Sequence, residues 1–228
     1  SVIADGIGPE SIAAAAPTGK AAQRMTVSLA KAGVDVQATT IHRLLSVVRN
    51  GYDGKGCGFF YNEKNPLTQR VLFVDEASML DTDLAANLLR ATASGTHVLF
   101  VGDTFQLPPV GHGAPLRDMK AAGIACGELT EIVRNDGAIV RACRDIKEGR
   151  PPRPSQRVNP STGDNWKHCE TLTPATSVAR LKQLLDTLPT TFDPIWGVQV
   201  LCAINEKGEL NRKFLNDQLQ SWLNPHGR

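Results

Sequence analysis

An α/β fold built on a parallel sheet is predicted by three features of the sequence. Short apolar runs at residues 11–16, 70–74 and 97–101 show no polar alternation, which is how strands covered on both faces read. Helical patterns separate them, at 18–32, 40–48 and 82–91. Strand, helix, strand, helix in that order calls for crossover connections, which are right-handed within one sheet.

Each element has its own justification. Residues 12–16, Ile-Ala-Ala-Ala-Ala, form the first strand, and Pro17-Thr18-Gly19 turns the chain into the helix at 18–32. A second turn at Thr40 opens the helix at 40–48. Residues 50–66 are rich in Gly, Asn and Asp and read as a surface loop or hairpin. The helix at 82–91 sets Leu84, Leu88 and Ala91 on one face. Beyond Gly127 the character changes. A helix is predicted at 138–148, and the following Gly-Arg-Pro-Pro-Arg-Pro is neither helix nor central strand. Residues 197–203, GVQVLCA, read as a buried strand leading into an amphipathic helix at 209–223. A larger first domain at 1–127 and part of a second at 128–228 follow from this pattern.

Composition narrows the function classes. The chain has 228 residues, and 41% hydrophobic residues suffice for a buried core. Lys+Arg number 25 against 23 Asp+Glu, so no overall field announces nucleic acid or excludes it. The longest apolar run, 12–17, falls far short of the roughly 20 residues of a membrane span. The N-terminus has no secretory pattern, and a cytoplasmic protein without a membrane partner is expected. Aromatics at 5% argue against a β-sandwich or a base-stacking RNA module. Five cysteines, never spaced CxxC, offer no zinc site and are expected to pack as reduced, small hydrophobes. Residues 134–157 hold seven basic and three acidic side chains, either a solvated surface or a phosphate-contact zone.

Three motifs could carry chemistry. Residues 71–81, VLFVDEASMLD, end an apolar strand in two carboxylates, at the sheet edge where open α/β folds bind ligands. Asp75 there could hold a hydrated Mg²⁺, and Glu76 could orient or deprotonate a water attacking a phosphate. A strand-end Asp-Glu pair alone serves equally well as a helix cap. The second motif, VGDTFQLPPVG at 101–111, adds another strand-end Asp, Asp103, with Gln106 three residues on. A glutamine so placed can donate to a γ-phosphate and accept from water, while Pro108 and Pro109 stiffen the loop. The third, APTGKAAQRM at 16–25, fails the GxxxxGK[ST] phosphate loop because Ala21 follows Lys20. Thr18, Lys20 and Arg24 at a helix start suit a DNA phosphate instead.

In this order, APTGKAAQRM, TIHRLL, VLFVDEASMLD, VLFVGDTFQLPPVG, LTEIVRND and VLCAINEKGELNRKFLNDQLQ resemble the RecD-type branch of superfamily 1 DNA helicases. The resemblance runs from residue 13 to 225. It implies a RecA-like P-loop NTPase domain plus part of a second, with ATP and Mg²⁺ as cofactors. It implies single-stranded DNA as partner, with possible nuclease or helicase complex subunits, as in the exodeoxyribonuclease V alpha subunit. The family's motif Ia falls on Pro17, Thr18, Lys20 and Arg24, and Thr40 and His42 are further DNA-side or packing positions. Pro108 joins the DNA-side group. Asp75 becomes the Walker B Mg²⁺ ligand and Glu76 the water-activating carboxylate. Gln106 becomes the motif III γ-phosphate sensor, with Asp103 beside the nucleotide. Arg134 matches the motif IV arginine that reaches the γ-phosphate, where a guanidinium stabilises transferring charge.

Two departures stand against these matches. No Walker A loop with its GxGKT lysine lies before Pro17, and no T-x-H-K-x-Q-G-x-E segment follows. The chain is therefore expected to be a piece of a 5′–3′ helicase of repair or recombination, inactive alone. The alternatives are a non-hydrolysing DNA- or partner-binding module with a degenerate ATPase fold, and a P-loop ATPase of another mechanical task.

Overall fold

The computed structural model describes residues 7–49, 57–131, 133 and 135–225. Two compact units divide the chain, Ser1–Glu131 and Ile132–Arg228.

The first unit is organised by a four-stranded parallel sheet in the order β2-β1-β5-β6. Strand β1 (Ile12–Ala16) pairs with β2 (Thr39–Thr40) on one side and β5 (Val71–Val74) on the other. Strand β6 (His97–Phe100) pairs with β5. Alanine is a weak strand former, yet Ala13 to Ala16 are all buried. Their small side chains let layers on both faces approach the sheet closely.

Alternation along the strands separates two faces. Ala13, Ala15, Leu72 and Val74 pack with Ile41, Leu45, Ala85, Leu88 and Ala91 into the main core. That face is covered by α2 (Ile41–Leu44) and α3 (Thr82–Arg90). Ile12, Ala14 and Phe73 face α1 (Gly19–Lys31), where Met25, Leu29 and Val34 help line a cavity of about 350 Å³. The crossovers β1-α1-β2 and β5-α3-β6 step in opposite directions along the sheet, so right-handedness sends α1 and α3 to opposite faces. Fully burying Leu72 or Leu88, at 1% and 0% exposure, contributes roughly 1.5–3 kcal/mol each.

Two segments depart from expectation. The helix at 40–48 stops at Leu44, because Ser46 turns the chain through φ 53°. Val47–Arg49 (β3) then pairs antiparallel with Cys57–Phe59 (β4), the conformation that β-branched Val47 and Val48 favour. The hairpin alternative for 50–66 is met at these strand ends, and residues 50–56 lie outside the described residues. The strand at 197–203 does not form. Leu201 is 81% exposed, and an apolar run becomes a strand only where a neighbouring edge takes up its N–H and C=O groups.

The second unit contains α5 (Gly137–Lys147), α6 (Pro174–Asp186), a short α7 (Pro194–Gly197) and α8 (Arg212–Leu223). Helix α6, which the sequence reading passes over, starts on a Thr173–Thr176 capping box with Pro174 in its first turn. Helix α8 starts after 209, where the Asn211 side chain accepts from Phe214 N–H. In the basic stretch Arg150 donates to Asp145 at 3.0 Å and pairs with Glu148. The bond to Asp145 raises the guanidinium pKa above its ordinary value. Arg141, Arg144, Arg153 and Arg157 are exposed.

The thiols also differ from expectation. Cys126, Cys143 and Cys202 are exposed rather than packed, because they fall on surface faces of the helix and loops that carry them. Among the described residues, no helix is long and apolar enough to cross a membrane.

Candidate functional site at the carboxyl edge of the sheet

Four parallel strands end at the same edge, so every turn leaving them converges there. The order along this edge is Thr40 at the end of β2, Pro17 and Thr18 after β1, Asp75 and Glu76 after β5, then Asp103 and Gln106 after β6. Adjacent strands are about 4.8 Å apart. The switch point lies between β1 and β5, whose helices leave to opposite faces. Open α/β sheets bind ligands at such a point, which here lies between the turns of Thr18 and Asp75.

Backbone bonds fix the acidic turn on both sides. Asp75 N–H donates to Ala15 carbonyl at 2.9 Å, and Ala77 N–H donates to Val101 carbonyl at 2.8 Å. Asp75 Oδ1 accepts from Glu76 N–H at 2.9 Å, and among the described residues no hydrogen bond reaches its Oδ2. Glu76 itself is left-handed, φ 51° and ψ 37°. Such a conformation costs a non-glycine residue of order 1–3 kcal/mol and gathers at functional sites. It is held because Ala77 and Leu80 directly beyond are buried at 0% and 1% exposure.

The β6 turn is built differently. Asp103 Oδ1 accepts from Phe105 N–H at 3.0 Å, and Gln106 N–H donates to Asp103 carbonyl at 3.0 Å. This tight Asx-type turn leaves the Gln106 side chain exposed. Pro108 sits exposed in the same loop.

On the other half of the edge, Thr18 is the N-cap of α1, its hydroxyl accepting from Ala21 N–H at 3.2 Å. Lys20 and Arg24 follow one turn apart on α1, both exposed. Thr40 caps α2 in the same way, accepting from Arg43 N–H at 3.2 Å. His42 is exposed, its ring 6.0 Å from that of Phe59. Thr18→Ala is expected to cost about 1 kcal/mol in urea unfolding through loss of the cap, and Thr18→Ser to recover most of it. Arg134 lies outside the described residues.

Three contributors escape a sequence reading. Asp81 caps α3, accepting from Leu84 N–H at 2.8 Å. Its signal was available, an Asp immediately before a helical apolar pattern. Ser78 is buried, and its Oγ has no hydrogen-bond partner among the described residues. Gly102 packs where a Cβ would come within 2.8 Å of Ser78 N and of Leu116 Cδ2. The burial of Ser78 and the close packing at Gly102 carry no sequence signal, since both depend on the meeting of the β5 and β6 turns.

The AAA domain family model matches residues 2–163. The chain belongs to the AAA domain family. Over 98% of its length this AAA domain chain is 33% identical to the ATP-dependent RecD2 DNA helicase of Deinococcus radiodurans. Over 47% of its length it is 38% identical to the RecBCD enzyme subunit RecD of Mycobacterium tuberculosis. It spans 28% of the first relative and 20% of the second. RecD-type proteins are thus among its homologues, as the motif order implied. A solved structure of Pif1 helicases, described in terms of DNA unwinding at forked double-stranded DNA, overlaps 66% of this chain and 40% of that one. The identity there is 22% and the TM-score 0.42.

Proposed function

We propose that this AAA domain chain is the nucleotide- and DNA-contacting part of an ATP-dependent DNA helicase that moves 5′ to 3′ on single-stranded DNA. One observation carries the reading. Asp75-Glu76 and Asp103–Gln106 leave neighbouring strands at one edge, with Thr18, Lys20 and Arg24 one strand further along. A nucleotide half and a DNA half thus share the same rigid sheet.

In this reading Asp75 holds Mg²⁺ through its uncommitted oxygen. The donor set fits. Among the described residues no cluster of three or more His, Cys, Asp or Glu forms a cage, and Mg²⁺ in phosphate sites takes one or two carboxylates, leaving the rest to phosphate and water. When bound, the ion neutralises charge on the phosphates. Glu76 orients the attacking water and takes its proton. Gln106 contacts the γ-phosphate, with Asp103 shaping its turn, and Arg134 supplies a guanidinium to the same group. Pro17, Thr18, Lys20, Arg24, Thr40, His42 and Pro108 face the strand, where the amide-rich start of α1 and two cations suit backbone phosphates.

The division at 1–127 and 128–228 corresponds in this reading to a first motor domain and the start of a second. The lysine-bearing phosphate loop would come from a further strand–helix unit of the parent protein. Strand β6 pairs on one side only among the described residues, and Leu99 on it is 50% exposed, an edge and face suited to such a unit. A role in repair or recombination, and in a complex with nuclease or helicase subunits, is consistent with the RecD relatives. ATP hydrolysis by the full-length parent, with and without single-stranded DNA, tests the function. Stimulation of tenfold or more is expected, and hydrolysis indifferent to DNA would overturn the reading.

A further inference from the structure

We infer that Gly111-His112-Gly113 is a clasp that fastens the Gln106 loop to the Asp75–Glu76 turn. Gly111 is its positioning residue, because only a glycine there fits against the Asp81 side chain. The inference deepens the helicase reading and rests on it for its functional consequence.

The loop between β6 and α4 (Pro115–Ala121) is tied to residues 77–82 at both ends. At its start, Ala77 N–H donates to Val101 carbonyl at 2.8 Å, and Gly102 lies against Ser78 N. At its end, Thr82 N–H donates to His112 carbonyl at 2.9 Å. The loop thereby satisfies one of the backbone donors that the first turn of α3 leaves without an intrahelical partner. Gly111 sits against the Asp81 side chain so closely that a Cβ would stand 2.7 Å from Asp81 Cβ and 2.8 Å from its Cγ. Swinging the carboxylate aside would break its Oδ1 cap on α3. Gly113 has φ 81°, and a Cβ there would run into Thr82 Oγ1.

Between the two ties the loop carries Asp103, Gln106, Pro108 and Pro109. The block it is tied to begins directly after Glu76, and its Ala77 and Leu80 are buried. Glu76 and Gln106 are thus mounted on one body, although 30 positions separate them in sequence. A shift of one is transmitted to the other through 77–82.

Gly111→Ala tests this without backbone strain, since only Gly113 of the two glycines has a positive φ. Asp81→Gly removes the three atoms nearest the new methyl, and glycine caps a helix at a cost of only a few tenths of a kcal/mol relative to Asp. In the full-length protein, Gly111→Ala is expected to speed amide hydrogen exchange at 103–110 at least tenfold, leaving β1 and β5 unchanged. It should also lower kcat for DNA-stimulated ATP hydrolysis about tenfold, with KM for ATP within threefold. Asp81→Gly alone should do neither, and the double variant Gly111→Ala with Asp81→Gly should recover both. Unchanged exchange in Gly111→Ala, or no recovery in the double variant, overturns the clasp. A loosened loop with unchanged kcat overturns the coupling. Wild-type hydrolysis indifferent to DNA defeats the helicase reading instead, and the exchange result still decides the clasp.

Discussion

Glu76→Gln in the full-length parent is expected to lower DNA-stimulated ATP hydrolysis by two to four orders of magnitude while leaving DNA binding near its wild-type level. The range is that of a positioned general base. The substitution keeps size and hydrogen-bonding capacity but removes the group that takes a proton from water. It also leaves the backbone untouched, so the left-handed turn at φ 51° survives. Turnover measured with saturating single-stranded DNA, beside a salt titration of binding, separates the two effects. Hydrolysis within threefold of wild type would remove Glu76 from the chemistry. Equal loss of hydrolysis and DNA binding would point to a distorted turn instead.

The second large effect is on stability. Leu72→Ala is expected to destabilise the first unit by about 2–5 kcal/mol, the range for emptying a buried leucine site. Leu72 lies mid-strand in β5, 1% exposed, with paired strands on both sides and Leu88, Leu45 and Ile41 in the same cluster. Backbone hydrogen bonds to β1 and β6 keep the strand from collapsing into the void, so much of the cavity persists. Against a typical total of about 5–15 kcal/mol for a domain, the urea midpoint should fall by roughly 1–2 M. Leu99→Ala is the control one strand away. Measured on this 228-residue chain, where Leu99 is 50% exposed, it should cost under about 1 kcal/mol, and a loss equal to that of Leu72→Ala would mean that Leu99 is covered in solution.

These two residues show what kind of feature is legible in a chain. Val71 to Glu76 reads correctly because each signal is local: an unalternating apolar run, then two carboxylates where the run stops. Helix α3 reads correctly for the same reason, with Leu84, Leu88 and Ala91 at helical spacing. Thr40 to Val48 misleads because nine residues of mixed character fit a helix as well as a turn and a strand. Only pairing with Cys57–Phe59 settles the matter. GVQVLCA at 197–203 misleads in the opposite sense. Its composition suits a strand, but composition does not provide a partner edge.

By itself the sequence determined the α/β class, the strands that end in Asp75-Glu76 and Gly102-Asp103, and the kinship with RecD-type proteins. Those properties are written in runs of up to about twenty adjacent residues. Tertiary structure alone decided that β1 and β5 lie side by side, so that Thr18 and Asp75 follow neighbouring strands at one edge. It alone decided that Glu76 takes a left-handed backbone, and that Gly111 closes on Asp81. Each of these depends on which distant segment fills the space beside a residue, and a side chain's neighbours across a sheet are fixed by packing and pairing, not by its position in the chain.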